Sequence, residues 1–208
     1  EIALGRQLGF IQTLVNTRVG YTSESFSQMY REWLSCRALS PSQQRLLGAR
    51  LQSWSWRPRI VPIVLDSEGD ASALEETLKS IRLQSYAAEQ VVVLSSSQQV
   101  SCDGVRHMRL EVDPVAQFND LLAQLENADW IYLLRAGDRL NELALLLLAE
   151  RMVEMPDLRC LYSDEGGLRD EVSIEPVFKP DFNLDLMRSY PYVGRVLALQ
   201  RHRMIELG

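Results

Sequence analysis

A chain of 208 residues has room for one well-buried α/β domain and an appendage, whereas two full domains would be crowded. Apolar residues make up 46% and charged ones 24%, ordinary for a globular protein, and no segment offers the roughly 20 uninterrupted apolar residues of a membrane span. A net charge of −6 with scattered Lys and Arg argues against nucleic acid as a partner, because phosphate affinity rests on clustered cations that release counterions.

Cys36, Cys102 and Cys160 are far apart, odd in number and without C-x-x-C spacing. Neither a disulfide framework nor a zinc site is indicated, and a reducing compartment fits best. The chain opens at Glu1 without Met and without a basic, apolar, small-residue leader, so it is expected to be an excised piece with no export signal in the part given.

Residues 1–57 read as a helical N-terminal arm. Leu8, Ile11, Leu14 and Val15 recur at spacings of three and four. Thr22 or Ser23 caps a second helix through Phe26, Met29, Tyr30 and Trp33, and Ser40-Pro41 starts a third through Leu46, Leu47 and Leu51. At Arg57-Pro58 the pattern changes, and residues 58–208 read as an α/β domain. Ile60 to Leu65 is a buried strand, Asp66 to Asp70 a polar loop, and Leu74, Leu78 and Ile81 mark a helix. Val91 to Leu94 is a second strand, Val115 to Leu125 a helix and Trp130 to Leu134 a third strand. Leu140 to Met155 is a helix stopped by Pro156, and Arg159 to Tyr162 a fourth strand. Short apolar strands alternating with amphipathic helices predict a mostly parallel sheet with helices on both faces.

Ligands of such sheets bind outside the carboxyl ends of the strands, which singles out four polar loops: Asp66–Glu68, Ser95–Ser97, Arg135–Asp138 and Ser163–Glu165. No G-x-G-x-x-G or G-x-x-x-x-G-K-[ST] follows the first strand, so neither a dinucleotide fold nor a phosphate loop is supported. A nucleotidyltransferase is disfavoured by the missing Gly-rich basic loop.

Three stretches carry a resemblance: Tyr30-Arg31-Glu32-Trp33 in the arm, the helix ending Leu83-Gln84-Ser85-Tyr86, and the late block. That block runs Tyr162-Ser163-Asp164-Glu165, then Pro176 to Leu186 (PVFKPDFNLDL), then Tyr192-Val193-Gly194. From about Tyr30 onward the chain resembles the inverting family 2 glycosyltransferases, especially the bacterial enzymes of surface-polysaccharide synthesis. The resemblance implies a nucleotide-diphospho-sugar transferase-like (A-type) fold, a nucleotide sugar as donor and a glycan or lipid-linked acceptor. It also implies a divalent metal, Mg²⁺ or Mn²⁺, and a cytoplasmic location, with peripheral attachment at the inner membrane as a further expectation.

The departures from the family pattern fall on the donor loops. Where the family has Pro-x-Tyr-Asn this chain has Leu65-Asp66-Ser67-Glu68, and where it has an Asp pair after the second strand this chain has Leu94-Ser95. The Asp-x-Asp expected after the third strand reads Arg135-Ala136-Gly137-Asp138. A hard cation wants anionic oxygens and stabilises the diphosphate leaving group, so only Asp138 is left as a metal candidate. Arg135 cannot ligate a cation, but its planar fork of donors can contact phosphate directly. Asp66, Glu68, Ser95, Arg135 and Asp138 are therefore the donor-site candidates. Against this stand plainer roles: Asp138 as a turn or helix cap, Arg135 as a surface or structural residue, and Asp66 and Glu68 as loop residues.

By the same resemblance Asp164 and Glu165 line the cleft near donor and acceptor; their plainer reading is a turn into Gly166-Gly167. Lys179 reads as structural, and His107 and His202 stand alone. The family's general base, an Asp of a Glu-Asp pair, is expected beyond Gly208, so the 208-residue piece is expected to be inactive by itself. Two functions follow: a nucleotide-sugar-binding transferase domain, or a non-catalytic domain of the same fold serving as scaffold or partner-binding module, with a neighbouring transferase domain in the same polypeptide.

Overall fold

The computed structural model describes residues 23–36, 38–97, 104–169, 172–194 and 196–208. The first expected helix with Leu8 to Val15, the Thr22 cap and Cys102 lie outside the described residues. The chain forms two compact units. Among the described residues, one contains those from Ser23 to Ala38 together with those of Glu165–Val177, the other those of Leu39–Asp164 together with Phe178–Gly208.

In the first unit, helix α1 (Ser23–Ser35) carries Tyr30 and Trp33 with their rings stacked, centroids 5.8 Å apart. Strands β6 (Glu165–Arg169) and β7 (Val172–Val177) pair antiparallel, with an irregularity between Gly167 and Leu168.

The second unit is built on a six-stranded sheet. Helix α2 (Pro41–Gln52) begins as the sequence predicts: Ser40 caps it through a reciprocal box with Gln43, and Pro41 takes the first turn, where a missing N–H costs nothing. Its Leu47 and Leu51, with Trp54 beyond its end, pack on the main core, and Arg50 pairs with Glu150 at 2.8 Å. Then follow β1 (Ile60–Asp66), α3 (Ala71–Arg82), β2 (Val91–Ser95), β3 (Val105–Arg109), α4 (Pro114–Gln124), β4 (Trp130–Arg135), α5 (Ala144–Glu154) and β5 (Cys160–Tyr162). After the first unit's hairpin come α6 (Leu184–Ser189), β8 (Leu197–Gln200) and α7 (Arg201–Leu207).

The strand order is β3-β2-β1-β4-β8-β5. The first four strands run parallel, and β8 is inserted antiparallel between β4 and β5. Helices cover both faces. Leu74, Leu78 and Ile81 of α3 and Leu145, Leu146, Ala149 and Met152 of α5 join Ile60, Val64, Val93 and Trp130 in one cluster. Leu121 and Leu122 of α4, with Leu125 just beyond it, join Val61, Ile63, Val92 and Ile131 on the other side. Ile60, Val61, Val64, Val92 and Val93 are almost wholly enclosed, and burying side chains of this size contributes about 1.5–3 kcal/mol each. Sheet burial on both faces is why β1, β2 and β4 are uninterrupted apolar runs.

The mostly parallel sheet expected from the sequence is present, with two added strands. Strand β3 has no buried side chain and is mostly polar, with Arg106, His107 and Arg109 between and after Val105 and Met108, and β8 is four residues long, so neither stands out as an apolar run. The helix expected from Leu140 starts at Ala144, because Leu140 to Leu143 are held by other groups. Ser80 Oγ accepts from Leu140 N–H at 3.1 Å, and Asn141 Oδ1 accepts from Leu143 N–H at 3.1 Å. Gln84 Oε1, reaching across from the end of α3, takes the N–H of Leu145 at 2.9 Å, supplying the cap that Leu143 lacks. No helix among the described residues is long and apolar enough to cross a membrane.

Candidate functional site at the carboxyl edge of the sheet

The parallel strands β1, β2 and β4 end side by side at the edge where ligands of such sheets bind. Register places Asp66 opposite Ser95 and Leu65 opposite Arg135. Three of the sequence-predicted donor residues thus meet at one edge, but their side chains do different things.

Asp66 is 1% exposed and points into the protein. Its Oδ1 accepts from the N–H groups of Gly69 (2.8 Å) and Asp70 (3.1 Å), and its Oδ2 from the hydroxyl of Ser95 (2.6 Å). Ser95 Oγ in turn accepts from Ser97 N–H at 3.0 Å and lies 2.9 Å from Ser97 Oγ. A buried carboxylate must be satisfied by donors, and three converge here. The network winds the first loop back toward α3, where Asp70 caps the helix by accepting from Ser72 and Ala73 N–H at 2.9 and 3.1 Å. Gly69 closes the same corner. It has φ +72°, which favours glycine, and a Cβ there would crowd Ser97 Cβ at 3.1 Å and Ser96 Oγ at 3.2 Å. Glu68 is exposed at the rim of this loop.

The loop after β4 is held as firmly, by different groups. Asp138 Oδ2 accepts from Arg135 N–H at 2.8 Å while Asp138 N–H donates to Arg135 C=O at 3.0 Å, closing a turn over Ala136 and Gly137. Ala136 N–H donates to Leu65 C=O at 3.0 Å. Gly137, at φ +95°, donates to Ala73 C=O at 3.0 Å and to Thr77 Oγ1 at 2.9 Å. Every backbone N–H from Arg135 to Asp138 is therefore spent inside the protein. Arg139 pairs with Glu76 at 3.1 Å. The Arg135 side chain is exposed and has no ion pair among the described residues.

Thr77 and Ser80, which hold this loop, were not among the candidates read from the sequence. The signal was present: Thr77 is a polar residue on the Leu74-Leu78-Ile81 face of α3 and is fully buried. The Gln84-Ser85-Tyr86 helix ending works beside them. Gln84 Nε2 donates to Asn141 C=O at 2.7 Å, Ser85 N–H to Glu142 C=O at 2.8 Å, and Tyr86 OH to Pro58 C=O at 2.7 Å. Burial pushes the Tyr86 phenol above its ordinary pKa, keeping it a donor.

The late motif block forms a second network. Asp164 Oδ1 accepts from Lys179 N–H at 2.8 Å, and the enclosed Lys179 Nζ donates to Val193 C=O at 2.8 Å. Tyr162 OH donates to Pro180 C=O at 2.7 Å, and Tyr192 OH accepts from Asn183 N–H at 2.7 Å. The two tyrosine rings meet edge to face at 6.1 Å. Burial, and then Tyr192, push the Tyr162 phenol above its ordinary pKa. Lys179 thus fastens the 178–193 segment, as its plainer reading expects. Asp164 is exposed apart from that bond, and Glu165 opens β6 in the other unit.

Of the protein ligands that the family resemblance implies for a metal, the loop after β4 keeps one. Asp138 is a single carboxylate, one oxygen of which is committed to a backbone N–H, and the position that should supply a second anionic ligand holds Arg135. Among the described residues no group of three or more His, Cys, Asp or Glu is placed to hold a metal ion.

No protein-family model matches the chain. It is 25% identical over 213 residues to the O-antigen biosynthesis protein RfbC of Myxococcus xanthus, an alignment covering 95% of this chain and 16% of that protein. Among solved structures, residues 1–349 of S. aureus TarS in complex with UDP superpose with a TM-score of 0.54 at 14% identity, covering 72% of this chain and 48% of that one. The mannosyltransferase PcManGT from Pyrobaculum calidifontis, in complex with GDP-Man and Mn²⁺, gives 0.47 at 16% identity, covering 79% and 53%. The chain thus spans about a sixth of the curated relative and about half of TarS 1–349. The sheet carries the A-type nucleotide-diphospho-sugar transferase fold, and the chain resembles the inverting family 2 glycosyltransferases of bacterial surface-polysaccharide synthesis.

Proposed function

We propose that residues 58–208 serve as the donor half of a glycosyltransferase, binding a nucleotide-diphospho-sugar for inverting transfer in polysaccharide or glycoconjugate synthesis. The observation that carries this reading is the convergence of the β1, β2 and β4 ends into one hydrogen-bonded edge with an exposed arginine on it. A glycan or lipid-linked acceptor and a cytoplasmic setting peripheral to the inner membrane belong to the same proposal, and the likeness to an O-antigen biosynthesis protein supports its polysaccharide side. Calorimetric titration with UDP-, GDP- and dTDP-sugars tests it: micromolar to millimolar binding of at least one supports the reading, and binding of none overturns it.

A second reading is favoured by Asp66 and Ser95, whose polar groups are turned inward to bind each other. On that reading the domain keeps the fold and acts as a scaffold or partner-binding module. Loss of sugar transfer by the full-length protein on Arg135→Ala would exclude it.

A further inference from the structure

We propose that Arg135 stands in for the divalent cation, so that the domain holds a nucleoside diphosphate without metal. This rests on the nucleotide-binding reading above. A diphosphate needs positive charge or hydrogen-bond donors, and the inventory at the end of β4 is short. The N–H groups of Arg135, Ala136, Gly137 and Asp138 are all engaged with Asp138, Leu65, Ala73, Thr77 and Arg135 itself, so the loop offers no backbone nest for an anion. Arg139, next along, is paired with Glu76. The guanidinium of Arg135 is the remaining donor of this loop, and it is exposed at the end of the strand.

The loop is also built to keep Arg135 in place. Its own N–H and C=O are both bonded to Asp138, and the turn is pinned to α3 through Gly137. The backbone bearing the cation is therefore ordered before any ligand arrives, which lowers the entropy cost of binding. Asp138, the one carboxylate of this loop, directs one oxygen at a backbone donor. A planar fork offers two parallel hydrogen bonds to a phosphate, a geometry that an ammonium cannot copy.

The test is UDP binding to the 208-residue chain by calorimetry, once in EDTA and once in excess Mn²⁺, with wild type, Arg135→Ala and Arg135→Lys. The expected result is equal affinity in both buffers, about a tenfold or greater loss for Arg135→Ala and a smaller loss for Arg135→Lys. Thermal unfolding confirms that the variants are folded; Arg135→Gln serves if the alanine variant is not. Binding that appears only with Mn²⁺, or that changes less than twofold in Arg135→Ala, overturns the inference and leaves the nucleotide-binding reading standing. Absence of binding in either buffer, with GDP and dTDP as well as UDP, overturns both.

Discussion

The two halves of the carboxyl edge differ in where their polar groups point. At the ends of β1 and β2, Asp66, Ser95 and Ser97 satisfy one another, and Gly69 packs against the second loop. At the end of β4 the backbone is equally satisfied, yet the Arg135 side chain is left outside. Polar residues at the end of a parallel strand are thus not equivalent evidence of a site. A carboxylate that is 1% exposed and holds three donors builds the rim, whereas an exposed guanidinium on a pinned turn is available to a ligand.

The sharpest way to break this contrast is Asp66→Ala. It leaves the N–H groups of Gly69 and Asp70 without their carboxylate acceptor and takes one partner from the Ser95 hydroxyl, and the expected loss is on the order of 3 kcal/mol in denaturant unfolding. If Asp66 were a ligand-binding residue held in waiting, its removal would leave stability nearly unchanged.

Thr77→Val is expected to cost about 1 kcal/mol, since Gly137 N–H keeps its bond to Ala73 C=O. Faster amide exchange at Gly137 and Asp138 would show that the β4 loop loosens before the rest.

At the opposite edge, Asp129 receives Arg59 Nη2 at 2.8 Å, Nε at 3.1 Å and the Arg59 N–H at 2.9 Å. Burial pushes its pKa up, but the side-chain and backbone hydrogen bonds and the charge of Arg59 outweigh burial and hold it below the ordinary value of 3.8. A depressed carboxylate contributes stability that is fully present above the unfolded value and is lost as pH falls through the folded one. Acid titration of unfolding should therefore show a decline below about pH 4 that Asp129→Asn flattens. Arg135→Ala should have the smallest effect on stability, within about 0.5 kcal/mol, because the exposed side chain holds nothing in the fold.

The core of the fold was legible because β1, β2 and β4 are buried on both faces and so read as apolar runs, and because Ser40-Pro41 before an amphipathic stretch spells a helix start. Strand β3 escaped because its side chains are half-buried and mixed, and β8 because four residues carry too little pattern. The Gln84-Ser85-Tyr86 ending was legible as a motif, yet the work of Gln84 and Ser85, capping α5 and holding the carbonyls of Asn141 and Glu142, depends on residues about 60 positions away. At the site, sequence marked Asp66, Glu68, Ser95, Arg135 and Asp138 as a group. It could not divide them, because inward and outward orientation is set by which backbone donors the fold brings near. Thr77 was visible as a polar residue on an apolar face; its partner Gly137 was not.

The most direct test of the central claim follows backbone amide signals during titration of the 208-residue chain with UDP. Binding at the carboxyl edge predicts shifts clustered at Gly69, Ser96, Ser97 and the Arg135–Asp138 turn, with Arg59 and Asp129 at the far edge unmoved. Shifts centred instead on Glu89, Gln90 and Arg106 at the amino edge, or none at saturating UDP, would contradict it.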